Sequence, residues 1–209
     1  TFNSNMGLSV IKNQKRGATS INKTDKDSID SAVALVMEMC KGSQPDEAYD
    51  IAEKQPSQSF SKGDTSANLD NMYKSLEEFV DYVKSTYPKI QLEAAIIDFD
   101  HSISLFRNTN GVDFQIREGI YGFSPVFLSK DEKNTSSFNY TGFSALKIDK
   151  SLYKYGTIDT LLKQSVEQLH TQNIKNKFVG ELVVTPDCIG DFIGFITTYI
   201  KNLMFFNSF

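Results

Sequence analysis

Apolar residues recur at two different spacings along the chain, and each spacing predicts a different kind of element. Residues 7–11 and 17–21 form two short apolar runs around the polar stretch Asn13–Arg16, which predicts a hairpin. Four later stretches carry an apolar residue at every third or fourth position, the period that places these side chains on one face of a helix. The predicted helices begin at Thr24 or Asp25, at Asn68, at Thr157 and at Pro186.

Strands dominate the pattern between residues 90 and 148. Asn110-Gly111 separates two of them, and this dipeptide favours the positive φ angles of a tight hairpin turn. Residues 43–64, with two prolines and many Ser and Gln residues, predict a connector. Together the elements predict an α+β fold in which an antiparallel sheet carries helices on one face. The predicted strands are Ile90–Ala94, Ile103–Phe106, Val112–Ile116, Gly122–Leu128, Asn139–Leu146 and, further on, Phe178–Thr185.

Composition adds limits on the kind of partner. The chain has 209 residues, 40% of them apolar, and a formal net charge of −4. The acidic balance argues against a nucleic-acid surface, and the one compact basic stretch, Lys12–Arg16, fits a solvated turn. No window reaches the roughly 18 apolar residues of a membrane span, and no signal peptide is visible. We therefore expect a cytoplasmic protein with no nucleic-acid or membrane partner.

The two cysteines, Cys40 and Cys188, lie far apart in the sequence. Each sits among apolar residues on a predicted helix, so we expect buried and reduced thiols. Cys188 is also the candidate nucleophile, because it falls at a helix N-terminus, where the helix dipole favours a thiolate. Its apolar neighbours Ile189 and Phe192 favour a structural role instead.

Metal ligands are scarce. A catalytic zinc site needs about three protein ligands, and the chain has two histidines, His101 and His170. His170 falls near the polar end of the third predicted helix and is expected on the surface. His101 follows Asp98 and Asp100, where we expect a bend between strands, with a cation-binding cluster as the alternative.

Several stretches carry a resemblance to a known family. They are Phe2–Val10, Lys15–Ser20, Gln44–Glu47 followed by Ala52–Lys54, Asn108–Val112 and Gly180–Pro186. They form an asparagine-rich turn with a glycine-led strand, a basic turn, a polar segment after the first helix, an N-[ST]-x-G turn, and a late strand. Their order and spacing resemble the TldD/PmbA family of bacterial peptide-processing proteins, which is also described as modulating DNA gyrase.

The resemblance implies a division of the chain. Residues 1–54 would be part of an N-terminal α/β unit, 55–176 a central helix with an antiparallel meander, and 177–209 the beginning of a C-terminal metallopeptidase-like domain. The chain begins without Met and ends on the apolar run Leu203–Phe206. We therefore expect an incomplete chain that lacks the first strand–helix unit and most of the C-terminal domain.

The resemblance also implies a role. TldD-like members of the family look like zinc metallopeptidases with a His-Glu-x-x-x-His motif on the helix after the late strand, whereas PmbA-like members lack it. Here that helix reads Asp187–Phe195 and has no His. We therefore expect a PmbA-like subunit with no catalytic residue, metal or cofactor of its own. Zinc would reside in a TldD-like partner, and an unfolded peptide would be the substrate, with self-association as the alternative assembly.

Two other functions remain open. The chain could be a self-sufficient hydrolase that uses Cys188 or ligands from a missing C-terminal region. It could instead be a regulatory binding protein that acts on gyrase. Gly190 and Gly194, spaced four residues apart on the last helix, would let another element approach, and tight internal packing is the expected use of that face.

Overall fold

The computed structural model of the chain describes residues 3–172, 176–177 and 179–206. Contacts divide the chain into a first unit, Thr1–Phe60 with Ser104–Ile116, and a second unit, Ser61–Ile103 with Arg117–Phe209. The division at residues 54 and 176 that the sequence suggests stays a prediction. The strands are β1 (Met6–Lys12), β2 (Lys15–Ile21), β3 (Gln58–Lys62), β4 (Ile90–Arg107), β5 (Asp113–Ser129), β6 (Asn139–Tyr140) and β7 (Phe143–Ala145). The α-helices are α1 (Lys26–Gly42), α2 (Leu69–Thr86), α3 (Ile158–Glu167) and α4 (Pro186–Phe206), and 3-10 turns cover Leu152–Lys154 and Gln168–His170.

The first unit is built on a hairpin and one helix. Strands β1 and β2 pair antiparallel, with Lys12 opposite Lys15. The two turn residues, Asn13 and Gln14, both have positive φ angles (54° and 59°), as a two-residue hairpin turn requires. Helix α1 follows the cap predicted at Asp25, whose carboxylate accepts a hydrogen bond from the Ser28 backbone N–H at 2.9 Å. That bond stabilises the ionised carboxylate and lowers the pKa of Asp25.

Helix α1 approaches strand β2 very closely at Gly17. A Cβ atom at Gly17 would lie 2.2 Å from the Val36 carbonyl oxygen and 2.6 Å from the Cys40 nitrogen, both of which belong to the helix backbone. Ala32, Val36 and Cys40 form the buried face of α1. The absence of a side chain at Gly17 is therefore what allows this helix to lie against its hairpin.

Replacing Gly17 with Ala should destabilise the protein by about 2 kcal/mol, because backbone atoms must move apart to admit the methyl group. Gly7→Ala is the matched control, since a Cβ at Gly7 meets no atom within 4 Å. Urea unfolding of both variants measures the difference. Equal stability of the two variants would show that α1 does not pack as described.

Asparagines shape the loop between β4 and β5. The Asn108 side-chain oxygen accepts hydrogen bonds from the backbone N–H groups of Asn110 and Val112, both at 3.0 Å. Its amide donates to the Ala52 carbonyl oxygen at 2.8 Å, within the same unit. Gly111 has a φ of 90°, but Asn110 does not share a positive φ. The predicted tight two-residue turn is therefore wrong, and a longer loop held by side-chain amides replaces it.

The α+β fold is confirmed in the second unit, where β5 is the central strand. The strand order is β3-β5-β4, and β6 and β7 also pair with β5. Both of these short strands run antiparallel to it, with Phe123 opposite Phe143 and Val126 opposite Tyr140. Because β4 and β5 are joined by a short loop, they too form a hairpin.

Helices cover one face of this sheet, as predicted. The buried cluster joins Phe79 and Val83 of α2 to Phe123 and Phe127 of β5 and to Ile158 and Leu162 of α3. The rings of Phe79 and Phe123 meet edge to face with centroids 4.9 Å apart. Full burial of one such side chain contributes about 1.5–3 kcal/mol, so this contact fixes the position of α2 on the sheet.

Several predicted strands are corrected. Strand β4 runs unbroken from Ile90 to Arg107, so the bend expected at His101 is wrong. Strand β5 likewise joins two predicted strands, and β3 lies in the predicted connector. Residues 179–185 have no regular secondary structure, so the late strand is not formed there, and Phe178 lies outside the described residues. The third helix, whose apolar spacing predicts an end at about Gln172, ends at Glu167 and continues as a 3-10 turn.

Two tyrosines share one carboxylate between α2 and α3. The hydroxyls of Tyr82 and Tyr87 donate to the same oxygen of Asp159, at 2.7 and 2.9 Å. The ring of Tyr82 also stacks on Tyr153 with centroids 3.7 Å apart. Burial, together with the hydrogen bond to a carboxylate, raises the pKa of both tyrosines.

Stability should therefore fall in alkaline solution. The protonated phenols are favoured in the folded state, so the full stabilisation is present below the ordinary tyrosine pKa of 10.0. It is lost as the pH rises above that value towards the raised pKa of the folded state. Urea unfolding at pH 8 and at about pH 10.5 measures the effect. Tyr82→Phe should flatten this pH dependence, and an unchanged dependence in that variant would contradict the role of the pair.

Candidate interaction surfaces

Helix α4 exposes apolar side chains between residues 188 and 200. Residues 188–200 are all exposed, and the large apolar side chains among them have between 45% and 71% of their surface accessible. These side chains belong to Ile189, Phe192, Ile193, Phe195, Ile196, Tyr199 and Ile200. Most of them recur at helical spacing and form one apolar face, as predicted. The face is of the kind that marks a surface for another polypeptide.

The two glycines of α4 lie on open surface. A Cβ atom at Gly190 or at Gly194 would meet no heavy atom within 4 Å. Tight internal packing on this face was expected and is not found. The glycines therefore leave a flat strip beside the apolar face.

Cys188 lies in the first turn of α4, as predicted, but it is exposed rather than buried. Its backbone N–H donates to the Thr185 carbonyl oxygen at 3.0 Å. Within the described part of the chain, no imidazole or carboxylate is hydrogen-bonded to its sulfur. A nucleophilic thiol is activated by such a base or by a helix N-terminus, so the geometry supplies an accessible thiol at a helix N-terminus without a side-chain base.

Cys40 behaves as predicted. It is buried between α1 and the hairpin, and its thiol donates to the Lys15 carbonyl oxygen at 3.1 Å. The two thiols therefore differ in access to reagents.

A disulfide reagent such as dithionitrobenzoate should modify one thiol rapidly in the folded protein and a second only after unfolding. Cys188→Ser should remove the rapid phase and Cys40→Ser the slow one, with absorbance measuring both. Rapid reaction of both thiols in the wild-type protein would contradict the burial of Cys40.

Strand β4 carries a second exposed surface. Its inward residues from Ile90 to Phe99 are half-buried, and its other side chains in this stretch are almost all exposed. Ile96 leaves 57% of its surface accessible, and Ile103 leaves 55%. His101 lies in the middle of the strand and is exposed, beside the exposed carboxylates of Asp98 and Asp100.

A metal centre does not emerge from these residues. In the described ranges, no three His, Cys, Asp or Glu side chains lie close enough together to hold an ion. His170 is exposed at the end of a 3-10 turn, as predicted, and belongs to a different element from His101. The described residues therefore offer no cation-binding cluster around His101, which was the alternative to a bend there.

A buried serine cluster also lacks catalytic partners. The hydroxyl groups of Ser129 and Ser165 are 2.9 Å apart, and the Asn139 amide donates to Ser165 at 3.1 Å. Gln168 donates to the Asn139 side-chain oxygen at 3.0 Å. These contacts satisfy the polar groups and join α3 to the end of β5. Neither histidine takes part in these contacts, so the cluster is structural.

The elements define a class: an α+β protein with a helix-covered sheet and a separate hairpin–helix unit. Among solved structures, this fold is found in TldE from Thermococcus kodakarensis, with a TM-score of 0.55, 12% identity and 77% of this chain covered. It is also found in a proposed modulator of DNA gyrase from Bacteroides thetaiotaomicron, with a TM-score of 0.57, 15% identity and 80% covered. The predicted resemblance to the TldD/PmbA family is thus confirmed at the level of the fold.

The likeness is limited in length and in sequence. The chain spans 36% of the length of the Thermococcus protein and 40% of the Bacteroides protein. No protein-family model and no curated protein matches the sequence. In the part of the chain that the structure describes, no helix combines the length and hydrophobicity needed to cross a bilayer.

Proposed function

We propose that the chain is a PmbA/TldE-like subunit of a cytoplasmic, TldD/PmbA-type peptide-processing metallopeptidase. It has no metal of its own, and hydrolysis is carried out by a zinc-containing, TldD-like subunit. One observation carries the proposal. Helix α4 begins at Pro186, at the end of the stretch Gly180–Pro186 that resembles the family, and corresponds to the helix on which TldD-like members carry their metal motif. It has no imidazole, and it exposes an apolar face.

The missing ligands support a division of labour. Zinc-assisted hydrolysis needs an ion that holds a water molecule and a nearby general base. No metal-binding group of side chains occurs in the described residues, and Cys188 has no activating base among them. The chain's contribution is then to bind and orient, while the chemistry takes place on the partner.

The exposed face of α4 supports a protein partner. A helix presenting Ile189, Ile193, Ile196 and Ile200 along one side is stable in water when another surface buries them. Phe192 and Tyr199 border this face and add aromatic area, which is common at the centre of protein interfaces. The TldD-like subunit is the occupant that this proposal assigns to the face.

Co-expression of this chain with a TldD-like subunit should give a complex that co-purifies and hydrolyses an unfolded peptide. Ile196→Asp, in the middle of the apolar face, should weaken the complex at least tenfold. Thr198→Asp is the matched control, because Thr198 lies on the opposite side of α4. Size-exclusion chromatography with peptide cleavage measures both effects.

Two results would contradict the proposal. One is failure of the wild-type chain to co-purify while the partner alone has full activity. The other is equal loss of binding in the two variants, since that would mean the apolar face is not the contact.

A hydrolase that uses Cys188 is the second candidate, and its support is the exposure of that thiol. Cys188→Ser would abolish activity of the isolated chain under this candidate and leave the activity of the two-subunit complex unchanged under the first. Stoichiometric zinc in the purified chain would favour the self-sufficient form. Capture of gyrase without a TldD-like protein would favour the regulatory role named for the Bacteroides neighbour.

A further inference from the structure

The outer edge of strand β4 is open. Strand β5 has neighbours on both sides, whereas β4 pairs with β5 alone among the described strands. An edge strand presents a row of unpaired backbone N–H and C=O groups, and Lys and Pro are two of the residues with which natural proteins protect such an edge. The stretch Ile90–Phe106 contains neither residue and no Arg. Another extended segment can therefore pair with this edge.

The acidic side chains of β4 favour a basic segment as the added strand. Glu93, Asp98 and Asp100 are exposed, and no ion pair joins them to a Lys or Arg in the described residues. Asp98 and Asp100 are two positions apart, so their side chains leave the same face of the strand about 7 Å from each other. An incoming strand with Lys or Arg at alternate positions matches this spacing.

A second copy of the chain is a poor occupant of the same edge. When two β4 strands pair antiparallel with Phe99 opposite Phe99, Asp98 of each copy lies opposite Asp100 of the other copy. This arrangement contains two pairs of like charges. Like charges directly opposite each other destabilise paired strands. Pairing with a cationic peptide replaces both repulsions with attraction.

We propose that the outer edge of β4, from Glu93 to Ile103, binds an extended basic peptide as an added strand. Main-chain hydrogen bonds hold the peptide irrespective of its sequence, and Asp98 and Asp100 favour Lys or Arg at alternate positions. The inference deepens the proposed function, on whose peptide-binding role it rests, by naming the class of peptide. Binding is measured on the chain alone, so it does not depend on the partner subunit.

The probe is a fluorescein-labelled ten-residue peptide of alternating Lys and Thr, compared with the same peptide carrying Glu for Lys. Fluorescence anisotropy should show at least tenfold tighter binding of the Lys peptide, weakening as salt is added. Asp98→Asn combined with Asp100→Asn should lower its affinity by about fivefold or more. Glu77→Gln with Asp81→Asn, two exposed carboxylates on α2, removes the same charge and should leave affinity unchanged.

Backbone pairing is tested on the peptide, which leaves the fold of the protein untouched. Alternate amides of a strand point to opposite edges. N-methylation of the peptide amides that face β4 should abolish binding. N-methylation of the alternate amides, which face away from β4, should preserve it. Three results would overturn the proposal. The first is binding of both methylated peptides, the second is equal binding of the unmethylated Lys and Glu peptides, and the third is no binding of the unmethylated Lys peptide.

Two further results separate this proposal from pairing between two copies of the chain and from the proposed two-subunit assembly. A dimer of the free chain that the Asp98→Asn, Asp100→Asn variant strengthens, and that the Lys peptide does not displace, would overturn the proposal in favour of a second copy. A chain that binds the Lys peptide but fails to co-purify with a TldD-like subunit would overturn the assembly in the proposed function and leave this inference standing.

Discussion

Strand β5 pairs along both of its edges, with β4 on one side and β3, β7 and β6 on the other. Its inward face carries Phe123 and Phe127, which bind the sheet to α2 through Phe79. At Gly119, a Cβ atom would lie 1.9 Å from the Asp64 carbonyl oxygen, so the chain after β3 can approach β5 only because this position has no side chain. With both edges of β5 occupied, the described sheet leaves the outer edge of β4 for an added strand.

Local signals explain which elements could be predicted. Asp25 and Asn68 are good helix caps followed by apolar residues at helical spacing, and both helices begin where expected. The alternation of β5 is clear because its inward residues are buried. Strand β3 gave no such signal, since all five of its side chains are exposed and its position depends on pairing with β5. Likewise His101 and Ser102 look like a bend, but pairing with β5 keeps β4 extended there.

The candidate surfaces were harder to predict because they depend on which helix face and which strand edge the rest of the fold leaves exposed. Periodicity correctly indicated the apolar face of α4, yet it cannot show whether that face is buried, so Cys188 was expected to be buried and is exposed. The open edge of β4 follows from strand order, which the sequence did not give. By contrast, the lack of a His on α4 could be read directly, and it is the basis of the proposed non-metal role.

Both proposals treat this chain as a surface that binds and positions polypeptides. The most direct test of that account is amide hydrogen exchange along β4, because exchange reports which backbone N–H groups are already bonded. In the free protein, amides from Glu93 to Ile103 should alternate between slow exchange, where they face β5, and fast exchange, where they face solvent. Uniformly slow exchange along this segment would show that another strand already covers the edge, and would contradict the account.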